Sequence, residues 1–509
     1  MHDRNGTSRR EILAWGIALA SGVTACSKAA NNTSMNMTKS LTNLSATQAV
    51  AAMRRGDILA VDYASALLQR CETAKDLNAF ISLQPERVLE AADEADKRRA
   101  TGAALGPLHG LPIPVKDSIN TKEYPTTGGT HALRNFYPEE NAALVDQLLA
   151  AGAIVMGKTT IHELSFGWTS NNQAFGAVHN PYDTSRIPGG SSGGTAAAIA
   201  AGMAPLGIAE DTQGSIRVPA AMCGIYGFRP TTHRYPNKGV IPITPLFDQV
   251  GPHARSVADI ALFDNVITGE PLVGESSNLQ GVRLGVPRKF FFDSLDHEIE
   301  RISNESLKKL AAAGAVLIEA DVPQLGELID LTTAQVQLYH VMPMLTRYLQ
   351  EFNTGVTFDQ LMQQASPDIR TTFGRYVLPG GADIVLEAAF VAARDQHLPA
   401  LRKTLDDYFT TNNLAAMIFP TVQITAPPIG QDGETMLNGK TVSFEAVISR
   451  NISPGSTAGL PGLVIPADLN SDGLPVTLEI DGPQGSDRKL IGLGLAIEKV
   501  LGHLPPPNV

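Results

Sequence analysis

The sequence predicts an α/β protein: a large mixed sheet with parallel stretches, helices on both faces, and a helical insertion over about 325–445. Three observations carry this. Short apolar runs alternate with Ala-rich helical patterns, the rhythm of strands connected through helices. The chain of 509 residues is 43% hydrophobic and only 18% charged, enough apolar material for a large core. Its 46 Gly and 33 Pro suit many tight turns. Length alone allows one very large domain or two to three ordinary ones.

The N-terminus reads as an address. Ser8-Arg9-Arg10-Glu11-Ile12-Leu13 leads into an apolar run over 12–25, a twin-arginine-type export pattern. That run is too short to cross about 30 Å of hydrocarbon as a permanent helix. It ends in Val23-Thr24-Ala25-Cys26, which resembles a bacterial lipobox, so cleavage before a lipidated Cys26 is expected. Residues 1–26 are therefore assigned to the signal, 27–43 to a flexible tether and 44–509 to the folded domain. The expected location is the periplasm, free or as a membrane-anchored lipoprotein.

Within the domain, Ser45 and Gln48 form a capping-box pattern for a helix over 48–55. A second amphipathic helix covers 63–73. Strand-like runs follow at 111–115, 153–156, 204–208, 282–286 and 316–320. Helical patterns at 142–151, 195–201, 257–266 and 298–313 alternate with them. The insertion has longer helical patterns rich in Tyr339, His340, Met342, Met344, Tyr348, Phe352, Phe373 and Tyr376. Strand patterns return at 416–419, 462–465 and 474–480, and a last helix covers 489–501.

Composition excludes several functions. With 40 basic against 51 acidic residues the net charge is −11, and no Lys/Arg-rich run exists to neutralise nucleic-acid phosphates. Only Cys26, Cys71 and Cys223 occur, which excludes a disulfide scaffold or a zinc site of paired cysteines. Cys71 and Cys223 lie in apolar text and read as inert core thiols.

Several motif matches fail on context. Gly152 to Thr159 fits the phosphate-loop spelling, but the strand lies inside the motif instead of before it. His162-Glu163 opens a zinc-protease pattern, yet Phe166 stands where the second His is needed. Ser306 and Lys309 share the Ser-x-x-Lys spacing on a polar helix face, where solvation explains them. Gly190-Ser-Ser-Gly-Gly194 fits a nucleophile elbow, but a loop precedes it where the elbow requires a strand.

The glycine-rich loop still asks for an explanation, because N–H groups at a helix start suit a developing oxyanion. It is followed by Glu210-Asp-Thr-Gln-Gly-Ser-Ile-Arg-Val-Pro219 and preceded by Gly110-Leu-Pro-Ile-Pro-Val-Lys-Asp117. Together with the stretch 248–259, these resemble the amidase signature family, over roughly 44–501. The resemblance implies that family's fold, with the helical insertion bordering the substrate pocket. It implies that Ser215 is the acyl nucleophile. It implies that Ser191, after a cis peptide bond, relays protons and that Lys116 is the base. The N–H groups of Thr212, Gln213, Gly214 and Ser215 would form the oxyanion hole. Gln213 stands where many members have Gly, so a side chain there narrows or polarises the pocket. Neither metal nor cofactor is implied.

Elementary chemistry fits these roles. A serine hydroxyl needs an adjacent base. A lysine serves only when neutral, hence desolvated and away from acids; lowering its pKa from 10.4 to 7 costs about 4.6 kcal/mol. Lys158 is the rival base, and His131, His233 and His253 are candidates for a Ser-His alternative. Asp211 and Arg217 are expected to pair and brace the site, and Ser192 to brace it through hydrogen bonds.

The stretch 227–261 is most similar to the indoleacetamide and mandelamide hydrolase branch, which implies a primary aryl-substituted amide cleaved to acid and ammonia. Aromatic and Met residues of the insertion suit an aryl group or are simply core. Anilides, aryl carbamates and peptide amides are the runner-up substrates. The glutaminase subunit of a tRNA-dependent amidotransferase is a different class within the family, and an export signal argues against it. A silent binding lipoprotein would lack the three key residues, which are present. The expected partners are a small-molecule amide, no nucleic acid, and a membrane only through an N-terminal lipid. Homodimerisation stays open.

Overall fold

The computed structural model of the chain describes residues 41–271 and 278–509. The export pattern, Cys26 and residues 27–40 of the expected tether lie outside the described residues. Residues 41–43 do not behave as tether. Thr42 is buried, and Arg255 donates to its carbonyl and to that of Leu44, so the fold begins before 44.

Among the described residues, one mixed sheet has eleven strands. We number them β1 Phe80–Leu83, β2 Pro112–Lys116, β3 Ile154–Thr159, β4 Leu206–Asp211, β5 Tyr226–Arg229, β6 Gln249–Ala254, β7 Arg283–Gly285, β8 Val316–Ile318, β9 Ala416–Pro420, β10 Gly462–Leu469 and β11 Pro475–Asp481. Their order across the sheet is β1-β3-β2-β4-β6-β5-β10-β11-β9-β7-β8. The segment β3-β2-β4 is parallel, as is β9-β7-β8. The middle, from β4 through β11 to β9, is antiparallel. Strands β2, β4, β6, β9 and β11 are buried at every residue, so both faces of the sheet are covered.

The helices sit close to where the sequence puts them. Ala46–Arg55 carries the capping box of Ser45 and Gln48, and Gly56 closes it in the left-handed region. Ala60–Thr73, Ala143–Ala150, Gly193–Ala200, Val257–Thr268, His297–Ala312 and Asp487–Leu501 match the other patterns within two or three residues. Cys71 and Cys223 are buried free thiols. The helix Pro85–Ala100 and strands β1, β5 and β6 have no counterpart in the sequence reading. The sequence of β6, QVGPHA, contains Gly and Pro, which conceal a strand that is fully buried all the same.

Of the range 325–445 expected to be a helical insertion, 325–411 is helical. It comprises helices Leu325–Glu351, Phe358–Gln364, Pro367–Tyr376, Glu387–Ala392 and Leu398–Thr411. Residues 416–420 have returned to the main sheet as β9, because the run Ala-Met-Ile-Phe-Pro is wholly buried against β11 and β7. Tyr348 and Phe373 belong to a second core with Leu345, Leu349 and Ile369, against which Met342, Phe352 and Tyr376 pack. Tyr339 stacks on Phe390 at 4.2 Å, with His340 against the same ring. Most aromatics of the insertion therefore build its own core.

Candidate active site

Four segments converge at the sheet centre. Strand β2 ends at Lys116, and its neighbour β4 ends at Asp211. The chain leaves β4 through Thr212-Gln-Gly-Ser215 and enters the helix Arg217–Met222. Ser191 and Ser192 precede the helix Gly193–Ala200, and the Gly190–Ser191 peptide bond is cis. Gly194 admits no side chain there: a Cβ would lie 2.4 Å from the Thr160 carbonyl oxygen and 2.5 Å from that of Ala79. Strand β6 brings Asp248 alongside.

Lys116 is fully buried, and its Nζ lies 2.7 Å from Ser191 Oγ. It also donates to Glu210 Oε2 at 2.8 Å and to the Glu210 carbonyl at 3.2 Å. The expectation of a lysine away from acids is thus corrected. Burial still pushes the Lys116 ammonium below its ordinary pKa, with Glu210 opposing the shift. The acid is tolerated because it can be counted as compensation: a charged lysine at this depth without a partner would be far costlier.

Glu210 belongs to a larger polar cluster. Thr212 Oγ1 lies 3.1 Å from Glu210 Oε1 and 2.6 Å from Asp248 Oδ1. Asp248 Oδ2 accepts the N–H groups of Ile243 and Thr244, both at 2.9 Å. Burial first, and Glu210 second, raise the Asp248 carboxyl to about 7. Ser192 Oγ donates to the Glu210 carbonyl at 3.2 Å, the bracing role expected of it.

Ser215 is 5% exposed and, among the described residues, its side chain makes no hydrogen bond, Ser191 included; it lines a cavity of about 580 Å³. Lys116 and Ser191 are thus in contact, while Ser215 lines the cavity. The loop before it is held by Asp211. Its Oδ1 accepts the Gly214 N–H at 2.8 Å and its Oδ2 the Ile216 N–H at 3.1 Å. This corrects one oxyanion donor: the Gly214 N–H is spent on Asp211. Among the described residues, the N–H groups of Thr212, Gln213 and Ser215 have no acceptor within the protein. Gly214 serves the bend, with φ +97° and Ile452 Cδ1 only 1.9 Å from where a Cβ would stand.

Arg217 pairs with Asp211 as expected, Nε to Oδ2 at 3.2 Å, and reaches Glu479 at 2.7 Å and the Ser456 hydroxyl. Arg229 adds a second cation on Asp211 at 3.1 Å. Burial alone would raise the Asp211 carboxyl, but Arg217 and Arg229 overcome it and hold it below the usual carboxylate range. Sequence reasoning assigned no role to Arg229, Glu479, Glu210 or Asp248. The one available signal was a charged residue at the end of an otherwise apolar strand, as Glu210 is after Leu206–Ala209.

The rival bases are occupied elsewhere. Lys158 Nζ donates to Thr126 Oγ1 at 2.8 Å and pairs with buried Asp117 at 3.1 Å. His253 Nε2 bonds the Ile216 carbonyl at 2.7 Å, and burial lowers its pKa to about 4. His131 Nδ1 contacts Arg134. Among the described residues, neither these histidines nor His233 hydrogen-bond to Ser215 or Ser191.

Apolar side chains Phe166, Trp168, Ile243, Leu338, Tyr376 and Phe444 line the cavity, Tyr376 being the one insertion aromatic of the expected set that reaches it. Asp330, Asp368, Asp432 and Glu445 line it too, with His162 and, among the described residues, no Lys or Arg. Gln213 lines the cavity, and its Nε2 donates to Thr457 Oγ1 at 3.3 Å. Trp168 Nε1 donates to the Gln213 carbonyl at 2.8 Å, fixing an aromatic ring beside the loop.

Residues 62–491 match the family model described as Amidase. The chain is 38% identical over 463 residues to an indoleacetamide hydrolase of Agrobacterium vitis, covering 91% of this chain and 98% of the relative. It is 38% identical over 483 residues to a mandelamide hydrolase of Pseudomonas putida, covering 92% and 93%. The crystal structure of a peptide amidase from Stenotrophomonas maltophilia superposes with a TM-score of 0.76 at 28% identity, covering 92% of this chain and 98% of that one.

Proposed function

Because the chain belongs to the amidase signature family and is an amide C–N hydrolase, we propose that Ser215, Ser191 and Lys116 carry out that hydrolysis through an acyl-enzyme. Ser215 Oγ attacks the substrate carbonyl. Its proton passes to Ser191 Oγ, while the proton of Ser191 passes to neutral Lys116 Nζ. The N–H groups of Thr212, Gln213 and Ser215 receive the oxyanion. As the intermediate collapses, the proton returns through Ser191 to the leaving nitrogen, and the C–N bond breaks. Water then repeats the sequence against the acyl-Ser215 ester and releases the acid. The observation that carries this reading is the 2.7 Å contact between a fully buried Lys116 and Ser191.

The substrate we assign is a neutral primary amide with an aryl-bearing acyl group. The cavity supports this: apolar and aromatic side chains offer a ring its surface, and four carboxyl groups without a cation disfavour a carboxylate. The indoleacetamide and mandelamide hydrolases it resembles are named for amides of that type. The test is a hydrolysis screen of primary aryl amides, anilides and aryl carbamates, reading ammonia and amine release. Fastest turnover of neutral primary aryl amides supports the assignment. Fastest turnover of anilides or carbamates, or of amides bearing a carboxylate, overturns it.

The N-terminal pattern supports export, with Cys26 as the lipid attachment point. Among the described residues no helix is long and apolar enough to cross a membrane.

A further inference from the structure

The Lys116 relay does not stop at the lysine. Hydrogen-bond contacts run from Ser191 Oγ to Lys116 Nζ, Glu210 Oε2, Glu210 Oε1, Thr212 Oγ1 and Asp248 Oδ1, with separations of 2.7, 2.8, 3.1 and 2.6 Å across the four contacts. Thr212 Oγ1 has a single proton, yet it lies within hydrogen-bond distance of two carboxyl oxygens. It donates to one, so the other contact is a hydrogen bond only if that second carboxyl carries a proton. Glu210 Oε2 is paired with Lys116, whereas among the described residues Asp248 has no ion-pair partner, so the proton is assigned to Asp248, and its Oδ2 accepts two backbone N–H groups, which leaves Oδ1 to carry it. The ordered chain is then Asp248 Oδ1–H to Thr212 Oγ1, Thr212 O–H to Glu210 Oε1, and Lys116 N–H to Glu210 Oε2. All members are buried, so bulk water does not supply the missing proton.

We propose that Glu210 is a positioning residue for Lys116, and that Glu210 and Asp248, joined through Thr212, form a buried carboxyl pair holding one proton that sets the pH at which Lys116 is a base. This rests on the reading that Lys116 is the base. Glu210 aims the ammonium at Ser191 and compensates the charge Lys116 gains when it takes the serine proton. The neutral Asp248 prevents a second negative charge from locking the lysine in its protonated form. The groups facing Lys116 are Glu210 and Asp211 from β4 and Asp248 and His253 from β6, and all enter the balance. Its chain neighbour Asp117 is engaged by Lys158.

The experiment is the pH profile of kcat/KM on a primary aryl amide for the full chain and for Glu210→Gln, Asp248→Asn, Thr212→Val and Thr212→Ser. Removing an opposite charge at this distance lowers a lysine pKa by roughly one unit or more. Glu210→Gln is therefore expected to move the acid limb down by that amount, with KM changed less than kcat. Asp248→Asn replaces one neutral side chain by another and is expected to leave the limb in place; a downward shift there would show that Asp248 carries charge and holds no proton. Thr212→Val is expected to move it, and Thr212→Ser to restore it. A structural role alone would lower activity without moving the limb. A carboxylic C=O band in the infrared difference spectrum of wild type against Asp248→Asn at neutral pH reads the held proton independently of turnover. Absence of that band, or a limb that stays put in every variant while Lys116→Ala is inactive, overturns the carboxyl pair and leaves the base reading standing. Full activity of Lys116→Ala overturns the base reading itself. If Glu210→Gln does not fold, the infrared difference against Asp248→Asn and the limbs of the Thr212 variants decide.

Discussion

Lys116 and Ser191 lie 75 residues apart in sequence and are joined by a 2.7 Å hydrogen bond in the interior of the sheet. The contact exists because β2 runs beside β4 and delivers its last residue to the loop that opens the helix Gly193–Ala200. A lysine buried there is shifted toward its neutral form, and the proposed mechanism uses the serine hydroxyl beside it as the proton carrier. Ser215, whose side chain has no hydrogen-bond partner among the described residues, lines the cavity.

Ser215→Ala is expected to reduce turnover to no more than a few per cent while leaving thermal unfolding close to that of wild type, because one oxygen is lost from a cavity wall. Activity assay and calorimetry on the same preparation check it. Retained turnover in a folded variant would remove Ser215 from the chemistry.

A fluorophosphonate or sulfonyl fluoride probe is expected to label Ser215, the serine open to the cavity. Peptide mapping reads the site. Ser192 donates to the Glu210 carbonyl and is buried, so adduct at Ser192 would revive the elbow arrangement.

Arg217→Met is expected to destabilise the protein by about 3–5 kcal/mol in denaturant unfolding, the usual cost of removing one partner from a buried ionic network. It would leave buried Glu479 without its cation, and Asp211 with Arg229 alone. A loss below 1 kcal/mol would show that the network does not hold the nucleophile loop.

Export gives a cellular prediction. Replacing Arg9 and Arg10 with Lys should retain the protein in the cytoplasm, and Cys26→Ala should release it from membranes, both read by fractionation. A wild-type chain found in the cytoplasm would contradict the N-terminal reading.

Much of the fold was legible because apolar strands and Ala-rich helices announce themselves: β2, β3, β4 and β9 to β11 all follow visible runs. Strand β6 was not, since Gly251, Pro252 and His253 break the pattern and only pairing with β4 and β5 buries them. The strand pattern at 416–419 was visible too, although the range 325–445 given to the insertion ran across it, and the insertion's helices end at Thr411. At the site, Ser215, Ser191 and Lys116 were visible through the motifs that contain them. The diversion of Gly214, the second cation Arg229 and the Glu210–Asp248 pair were not. Each depends on which side chains meet across strands, and spacing along one chain does not encode that.

The account turns on which lysine is the base, and the direct measurement is the pH dependence of kcat/KM for wild type, Lys116→Ala, Lys116→Arg and Lys158→Ala. Burial depresses the Lys116 pKa, so the neutral, active form is lost as pH falls through that lowered value. Wild-type activity is therefore expected to rise from mildly acidic pH to a plateau at neutral to alkaline pH. Lys116→Ala should be crippled in acylation, and Lys116→Arg should do no better, because a guanidinium stays charged. Lys158→Ala should lose stability, since it strips buried Asp117 of its cation, yet keep its chemistry per folded molecule. A folded Lys158→Ala without turnover, beside a Lys116→Ala that still works, would contradict the mechanism at its base.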